Sequence, residues 1–166
     1  LPSATEIVCE LGLRDKIVGV THECDYPPGI DQLPHVTSSI IDLNTPSQEI
    51  DSIIRDHLAS NKALYTLNEP LLMKLAPDLI VTQALCEVCA VSEDEVLSVI
   101  GRLPGSPGLV NLEPMTLNEV FDTISLVGRV AGCEAAALTY RQSLESRVHK
   151  VRSMTDKIEP RNKPTV

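Results

Sequence analysis

Hydrophobic and polar positions follow two different rhythms along this chain, and the change from one to the other divides it into helices and strands. After Thr45-Pro46-Ser47-Gln48, residues Ile50, Ile53, Ile54 and Leu58 recur at helical spacing, which draws one apolar stripe down a helix. Behind Thr116-Leu117-Asn118-Glu119, residues Val120, Ile124, Val127 and Val130 or Ala131 do the same. Both leading tetrads fit the capping box, as do Ser3-Ala4-Thr5-Glu6 and Ser92-Glu93-Asp94-Glu95. In such a box a hydroxyl accepts from the third helical amide, whose own side chain reaches back to the cap. Gly12, Gly101 and Gly132 stand where these helices should end.

Between the helices lie short runs that are nearly all apolar: Ile17-Val18-Gly19-Val20, Leu79-Ile80-Val81 and Leu109-Val110-Asn111-Leu112. Continuous rather than alternating hydrophobicity suits strands covered on both faces. Strand and helix alternate, so the expected class is α/β, a Rossmann-like lobe with a parallel sheet and helices on both faces. From about Glu134 to Ile158 the pattern is one long helix rich in Ala and charge, closed by Pro160. It is longer than the usual helix of about 11 to 12 residues and could bridge to something beyond the first domain. The chain opens at Leu1-Pro2 without a Met and closes on Lys163-Pro164-Thr165-Val166. It is therefore expected to be a fragment that lacks the strand before its first helix.

Composition narrows the function. With 166 residues the chain can build one real core, and 43% hydrophobic content with a net charge of −9 describes an acidic globular protein. A nucleic-acid partner is not expected, because phosphate binding needs a basic face. One Phe, three Tyr and no Trp leave little for a base-stacking platform. No run approaches the roughly 18 apolar residues of a membrane span. No Gly-x-Gly-x-x-Gly, Walker loop or Gly-x-Ser-x-Gly points to an enzyme.

The candidate chemistry sits in two loops. In a parallel sheet the loops after the strands leave by one edge, where ligands bind. Here those loops are 21–28, with His22, Glu23, Cys24, Asp25 and Tyr26, and 83–89, with Gln83, Leu85, Cys86 and Cys89. His22, Cys24, Cys86 and Cys89 would make a zinc set of thiolates and imidazole. The second Cys-x-x-Cys or His pair of the usual zinc pattern is missing, however. Redox use meets the objection that Cys89 lies three residues before the helix that Ser92 caps, outside the dipole that lowers a thiol pKa. A disulfide, local or between the loops, stays open beside both. Cys9 and Cys133 fall on helical segments and read as buried apolar side chains. Glu93, Asp94 and Glu95 complement a helix dipole, and as carboxylates on a rigid helix start they also suit docking to arginines.

The order LPSATEIV, GVTHECDYPP, LYTLNEPLLMKLAPDLIVTQ and LCEVCAVS resembles the substrate-binding proteins of ABC importers for cobalamin and ferric siderophores, and most closely the cobalamin-binding-protein-like branch. The resemblance runs over nearly the whole chain. It implies two α/β lobes joined by a rigid helix, with a metal-containing chelate between the lobes. Residues 1–132 would then be the N-terminal lobe, 133–159 the connecting helix and 160–166 the start of a second lobe. Ligand contacts would come from Pro2, Ser3, Ala4 and Thr5, from His22 to Tyr26, and from Gln83 to Cys89. Glu93 or Glu95 would dock the permease. The implied protein is a non-enzymatic periplasmic or extracytoplasmic binder of a cobalamin-like corrinoid or ferric siderophore. Aromatic residues, which line the corrin site in that family, are absent from loop 83–89, where thiols stand instead. The competing expectation is a cytosolic protein on the same fold whose Cys and His loops bind a metal or do thiol chemistry.

Overall fold

Two of the apolar runs pair side by side. In the computed structural model, which describes residues 2–42, 44–60, 64–83 and 93–159 (side chains in the last range from Leu97 onward), β3 (Leu79–Thr82) and β4 (Gly108–Asn111) form a parallel ladder. Its register sets Leu79 opposite Gly108 and Thr82 opposite Asn111, and Leu112 N–H extends it by donating to Thr82 O at 2.9 Å. Between these strands in sequence runs α4 (Glu93–Ile100), so the unit is a strand–helix–strand crossover of the α/β kind. Val110 is buried in the pair, and the residues of β3 are half-buried. Leu72, Val99 and Leu103 form a buried cluster against which Val36, Leu67, Ile80 and Ile100 pack. The α/β class read from the alternation of runs is the class found.

The first run behaves differently. Of residues 17–20 only Val20 makes a β-bridge, parallel to His35, and Val18 is 44% exposed. Val20 N–H donates to Pro34 O at 3.0 Å and Val36 N–H to Val20 O at 2.8 Å. Pro34 brings no amide of its own, which limits the ladder there. Gly19 lets the segment lie close to its neighbours, since a Cβ there would stand 2.8 Å from Val36 Cγ1 and 3.0 Å from Leu75 Cδ1. Instead, the hydrophobicity pattern passed over an antiparallel pair. β1 (Thr37–Ser39) and β2 (Tyr65–Leu67) are three residues each, and the Ser38 and Thr66 hydroxyls meet across them at 2.7 Å.

The helix starts divide similarly. At α5 (Leu117–Val130) the capping box is complete: Glu119 N–H donates to Thr116 Oγ1 at 3.3 Å, and Thr116 N–H to Glu119 Oε2 at 2.9 Å. In α1 (Pro2–Val8), by contrast, the helix begins at Pro2, so Ser3 lies inside it; proline suits a first helical position because its missing amide is not needed there. α2 (Ser47–Ala59) starts two residues past Thr45, with Glu49 and Ile50 amides both on Pro46 O. α3 (Glu69–Leu75) is a helix the periodicity was too short to reveal, capped by Asn68 Oδ1 accepting from Leu71 N–H at 3.1 Å. The third box begins at Ser92, outside the described residues.

The chain divides into two compact units, residues 1–113 and 114–166. The second is a helical pair, α5 with α6 (Glu134–Thr155), joined by a turn through Gly132 at φ 68°. The long helix read from the sequence is unbroken over Glu134–Thr155. Gly128 of α5 meets Ala137 of α6 so closely that a Cβ on Gly128 would overlap the Ala137 methyl. Ile124, Val127 and Ala137 are buried in this unit, and Arg141 ties α6 to Asp122 of α5 at 2.7 Å while pairing with Glu145 on its own helix at 2.8 Å.

Candidate functional site

The first candidate loop is anchored from below by a thiol. Cys24 is 2% exposed and belongs to a core cluster with Val20 and Ile30, flanked by Cys9, Ile17 and Leu33. Its Sγ lies 3.2 Å from Thr5 Oγ1 and 3.2 Å from Thr21 Oγ1, and its amide donates to Thr21 O at 3.1 Å. A thiol is a weak donor and acceptor, and here both capacities meet hydroxyls. The contact ties Thr5 of α1 to the 21–24 turn. Ala4 and Thr5 are buried, whereas Pro2 is half-buried and Ser3 exposed. Of the three described cysteines it is Cys24 that is buried; Cys9 and Cys133, read as core side chains, are half-buried. Burial pushes the Cys9 thiol pKa up, opposed by the nearby Arg14 guanidinium.

His22 is fixed on the same loop by two elements that sequence reasoning did not single out. Its backbone N–H donates to Thr37 Oγ1 at 3.2 Å, and its Nδ1 lies 2.8 Å from the same oxygen. The imidazole also rests against Tyr65, with ring centroids 5.3 Å apart and planes tilted by 34°. Thr37 and Tyr65 begin β1 and β2, and their register sets Thr37 opposite Leu67 and Ser39 opposite Tyr65. Glu23, Asp25 and Tyr26 are exposed, Tyr26 at 54%. The Tyr26–Pro27 peptide bond is cis, and Arg14 Nη2 donates to Pro28 O at 2.6 Å.

At the carboxyl end of the parallel pair, Gln83 follows β3 and is half-buried. Beside it in the next strand, Asn111 Nδ2 donates to Glu113 Oε1 at 2.6 Å, while Asn111 Oδ1 is buried with no partner among the described residues. Leu85, Cys86 and Cys89 fall outside the described residues, as do the side chains of Glu93 and Glu95. Among the described residues, no three His, Cys, Asp or Glu side chains gather closely enough to hold a metal ion. Further along, Arg102 forks onto Glu69, Nε to Oε1 at 2.7 Å and Nη2 to Oε2 at 2.8 Å, with Nη1 on Ser98 Oγ at 2.7 Å. That fork holds the Glu69 carboxyl below its ordinary pKa, and it clips α3 to the residues after α4. No helix among the described residues is long and apolar enough to cross a membrane.

No family model matches the chain, and no curated protein matches it closely enough to count. Solved structures do share its fold. The periplasmic vitamin B12 binding protein BtuF of Vibrio cholerae is 22% identical, with a TM-score of 0.65 over 96% of this chain and 50% of that one. A possible iron-binding, periplasmic solute-binding protein from Staphylococcus epidermidis is 22% identical, with a TM-score of 0.64 over 96% and 51%. The periplasmic heme-binding protein RhuT from Roseiflexus, in apo form, is 18% identical, with a TM-score of 0.67 over 95% and 48%. At these identities the likeness is one of fold, and the chain spans about half the length of each. All three are periplasmic binding proteins, of the kind the sequence resembles.

Proposed function

We propose that this chain is the N-terminal part of the substrate-binding component of an ABC importer, and that it takes a metal-containing cofactor or chelate, a cobalamin-like corrinoid or a ferric siderophore. The observation that carries this is the fold shared over nearly the whole chain with periplasmic binding proteins for vitamin B12, iron and heme. In this reading residues 1–132 form one lobe, 133–159 the connecting helix and 160–166 the start of a second lobe. The ligand meets the strand-end edge at Pro2–Thr5, His22, Glu23, Asp25, Tyr26, Gln83 and Leu85. The buried contact between Thr5 and Cys24 supports the first part of this, because it holds α1 beside the 21–24 turn. Glu93 or Glu95 docks the permease, and the protein works outside the cytoplasm.

Calorimetry with cobalamin, dicyanocobinamide and ferric hydroxamates tests the proposal, alongside native mass spectrometry of the longest polypeptide that carries this sequence, purified from its own host. The expected result is a corrinoid or ferric chelate bound by the longer polypeptide. The present chain alone should bind it weaker by orders of magnitude, since one lobe supplies only part of the contact and leaves the ligand unenclosed. Equal affinity for the two would refute the two-lobe arrangement, and no binding by either would refute the proposal.

A further inference from the structure

Two hydrogen bonds converge on one hydroxyl beneath His22. The His22 backbone amide donates to Thr37 Oγ1, and His22 Nδ1 lies 2.8 Å from the same oxygen. A threonine hydroxyl has one proton to give and two lone pairs to fill. The amide takes one lone pair. Were Nδ1–H to donate into the other, the hydroxyl proton would have no acceptor among the described residues, at a part-buried position. When the hydroxyl donates to Nδ1 instead, each group is used and none is orphaned. The difference is one hydrogen bond made within the protein, and it favours a bare Nδ1 and a protonated Nε2. Which ring nitrogen carries the proton is set by the partner of the other, and Thr37 is that partner.

The consequence concerns what the imidazole offers outward. A neutral histidine that binds a metal does so through a nitrogen lone pair, and in this tautomer the outer nitrogen carries a proton instead. It can give a hydrogen bond to oxygen. The ring also rests against Tyr65, which limits the directions the donor can take. The neighbouring exposed Glu23 and Asp25 would repel a carboxylate arriving at this loop, which favours a neutral acceptor such as an amide carbonyl.

We propose that Thr37 holds neutral His22 as the Nε2–H tautomer, and that His22 thereby recognises an amide carbonyl on the rim of the ligand rather than its metal. The ligand half of this inference rests on the binding role proposed above; the tautomer does not. The ligand class is a chelate whose periphery carries neutral amides.

Long-range proton–nitrogen correlation spectra of the chain labelled with 15N-histidine read the tautomer directly. The Nε2–H pattern is expected for neutral His22, retained in Thr37→Ser and mixed in Thr37→Val. An Nδ1–H pattern in the parent would overturn the proposal. Titration with dicyanocobinamide reads the contact, because cyanide occupies both axial positions of its cobalt and leaves only the amide-bearing rim to recognise. His22→Gln, which keeps an N–H donor, should bind within about twofold of the parent, and His22→Leu about three- to tenfold more weakly. Equal binding by parent and His22→Leu would overturn the contact. A parent that shows the Nε2–H form yet binds no dicyanocobinamide would sink the corrinoid reading, and the rim contact with it, by a result distinct from a wrong tautomer.

Discussion

Gly128→Ala should loosen the helical pair of the second unit, although it replaces the poorer helix former with the best one. A Cβ at this position overlaps the Ala137 methyl and lies 3.5 Å from Cys133 O and 3.7 Å from Ala137 Cα. Neither methyl can rotate away, because both are fixed to backbone. Carbon atoms pack best at about 3.5–4.0 Å, so α5 and α6 must part by roughly 1 Å at the crossing. A gap of that size forfeits about a quarter to a half of each dispersion contact across it. The neighbours that lose contact are the most deeply buried in this unit, with Ile124 at 1%, Val127 at 0% and Ala137 at 2% exposure. Overpacking of this kind costs about 1–3 kcal/mol, and the better helix propensity returns about 1 kcal/mol. The net expectation is about 0–2 kcal/mol of destabilisation. Urea unfolding followed by far-ultraviolet circular dichroism measures it. Gly101→Ala serves as a control, since a Cβ there meets only ordinary contacts at 3.6 and 3.7 Å and should be neutral or slightly stabilising. Gly128→Ala combined with Ala137→Gly moves the methyl to the other helix and should recover most of the loss. If Gly128→Ala is as stable as Gly101→Ala, or the double variant recovers nothing, the close crossing is not what requires glycine.

Three other outcomes are expected. Thr116→Ala removes the hydroxyl that accepts from Glu119 N–H and should cost about 0.5–2 kcal/mol in the same melts, with Thr116→Ser close to the parent. Gly19→Ala drives a methyl into Val36 and Leu75 and should cost about 1–3 kcal/mol; a neutral result would show that the 17–20 segment can shift at no cost. Glu69 has its pKa lowered in the folded chain, first by its hydrogen bonds to Arg102, so the stability it adds is present above the unfolded carboxyl value of about 4.3 and is lost as pH falls through the lower folded value. The stability gap between parent and Glu69→Gln should accordingly be steady above about pH 6 and shrink below about pH 4; a gap that does not vary across this range would rule out the ion pair as its source.

The parts of this fold that were legible in the sequence are those whose causes lie close together in the chain. Thr116 and Glu119 satisfy each other across one turn, so their tetrad reads correctly by itself. The runs at 79–81 and 109–112 are continuous apolar stretches, and they became neighbouring strands. Residues 17–20 looked alike but depend on a close approach between Gly19 and Val36, which no periodicity encodes. β1 and β2 were invisible because three polar or mixed residues have no measurable period, and the bond that marks them joins Ser38 to Thr66 across the intervening helix. The site divides in the same way. His22 stands out in the sequence because of its residue type, whereas Thr37 and Tyr65, which orient it, are ordinary until the fold sets them against it. Cys24 resembled its Cys-x-x-Cys counterparts in type alone, and only packing distinguishes a thiol turned toward Thr5 and Thr21 from one that faces a ligand.

Three side-chain bonds that link elements among the described residues span modest stretches of chain: 19 residues separate Thr5 from Cys24, 28 separate Ser38 from Thr66, and 33 separate Glu69 from Arg102. The parallel pair closes over a comparable span, since Leu79 meets Gly108. Loops of this size are cheap to close, and proteins built from near-neighbour contacts fold quickly. Each clasp can therefore form soon after its second half has been made, without waiting for the far end of the polypeptide. The chain is suited to folding in order as it emerges, whether from a ribosome or from a translocation pore, with the Thr5–Cys24 clasp the first of these three to close.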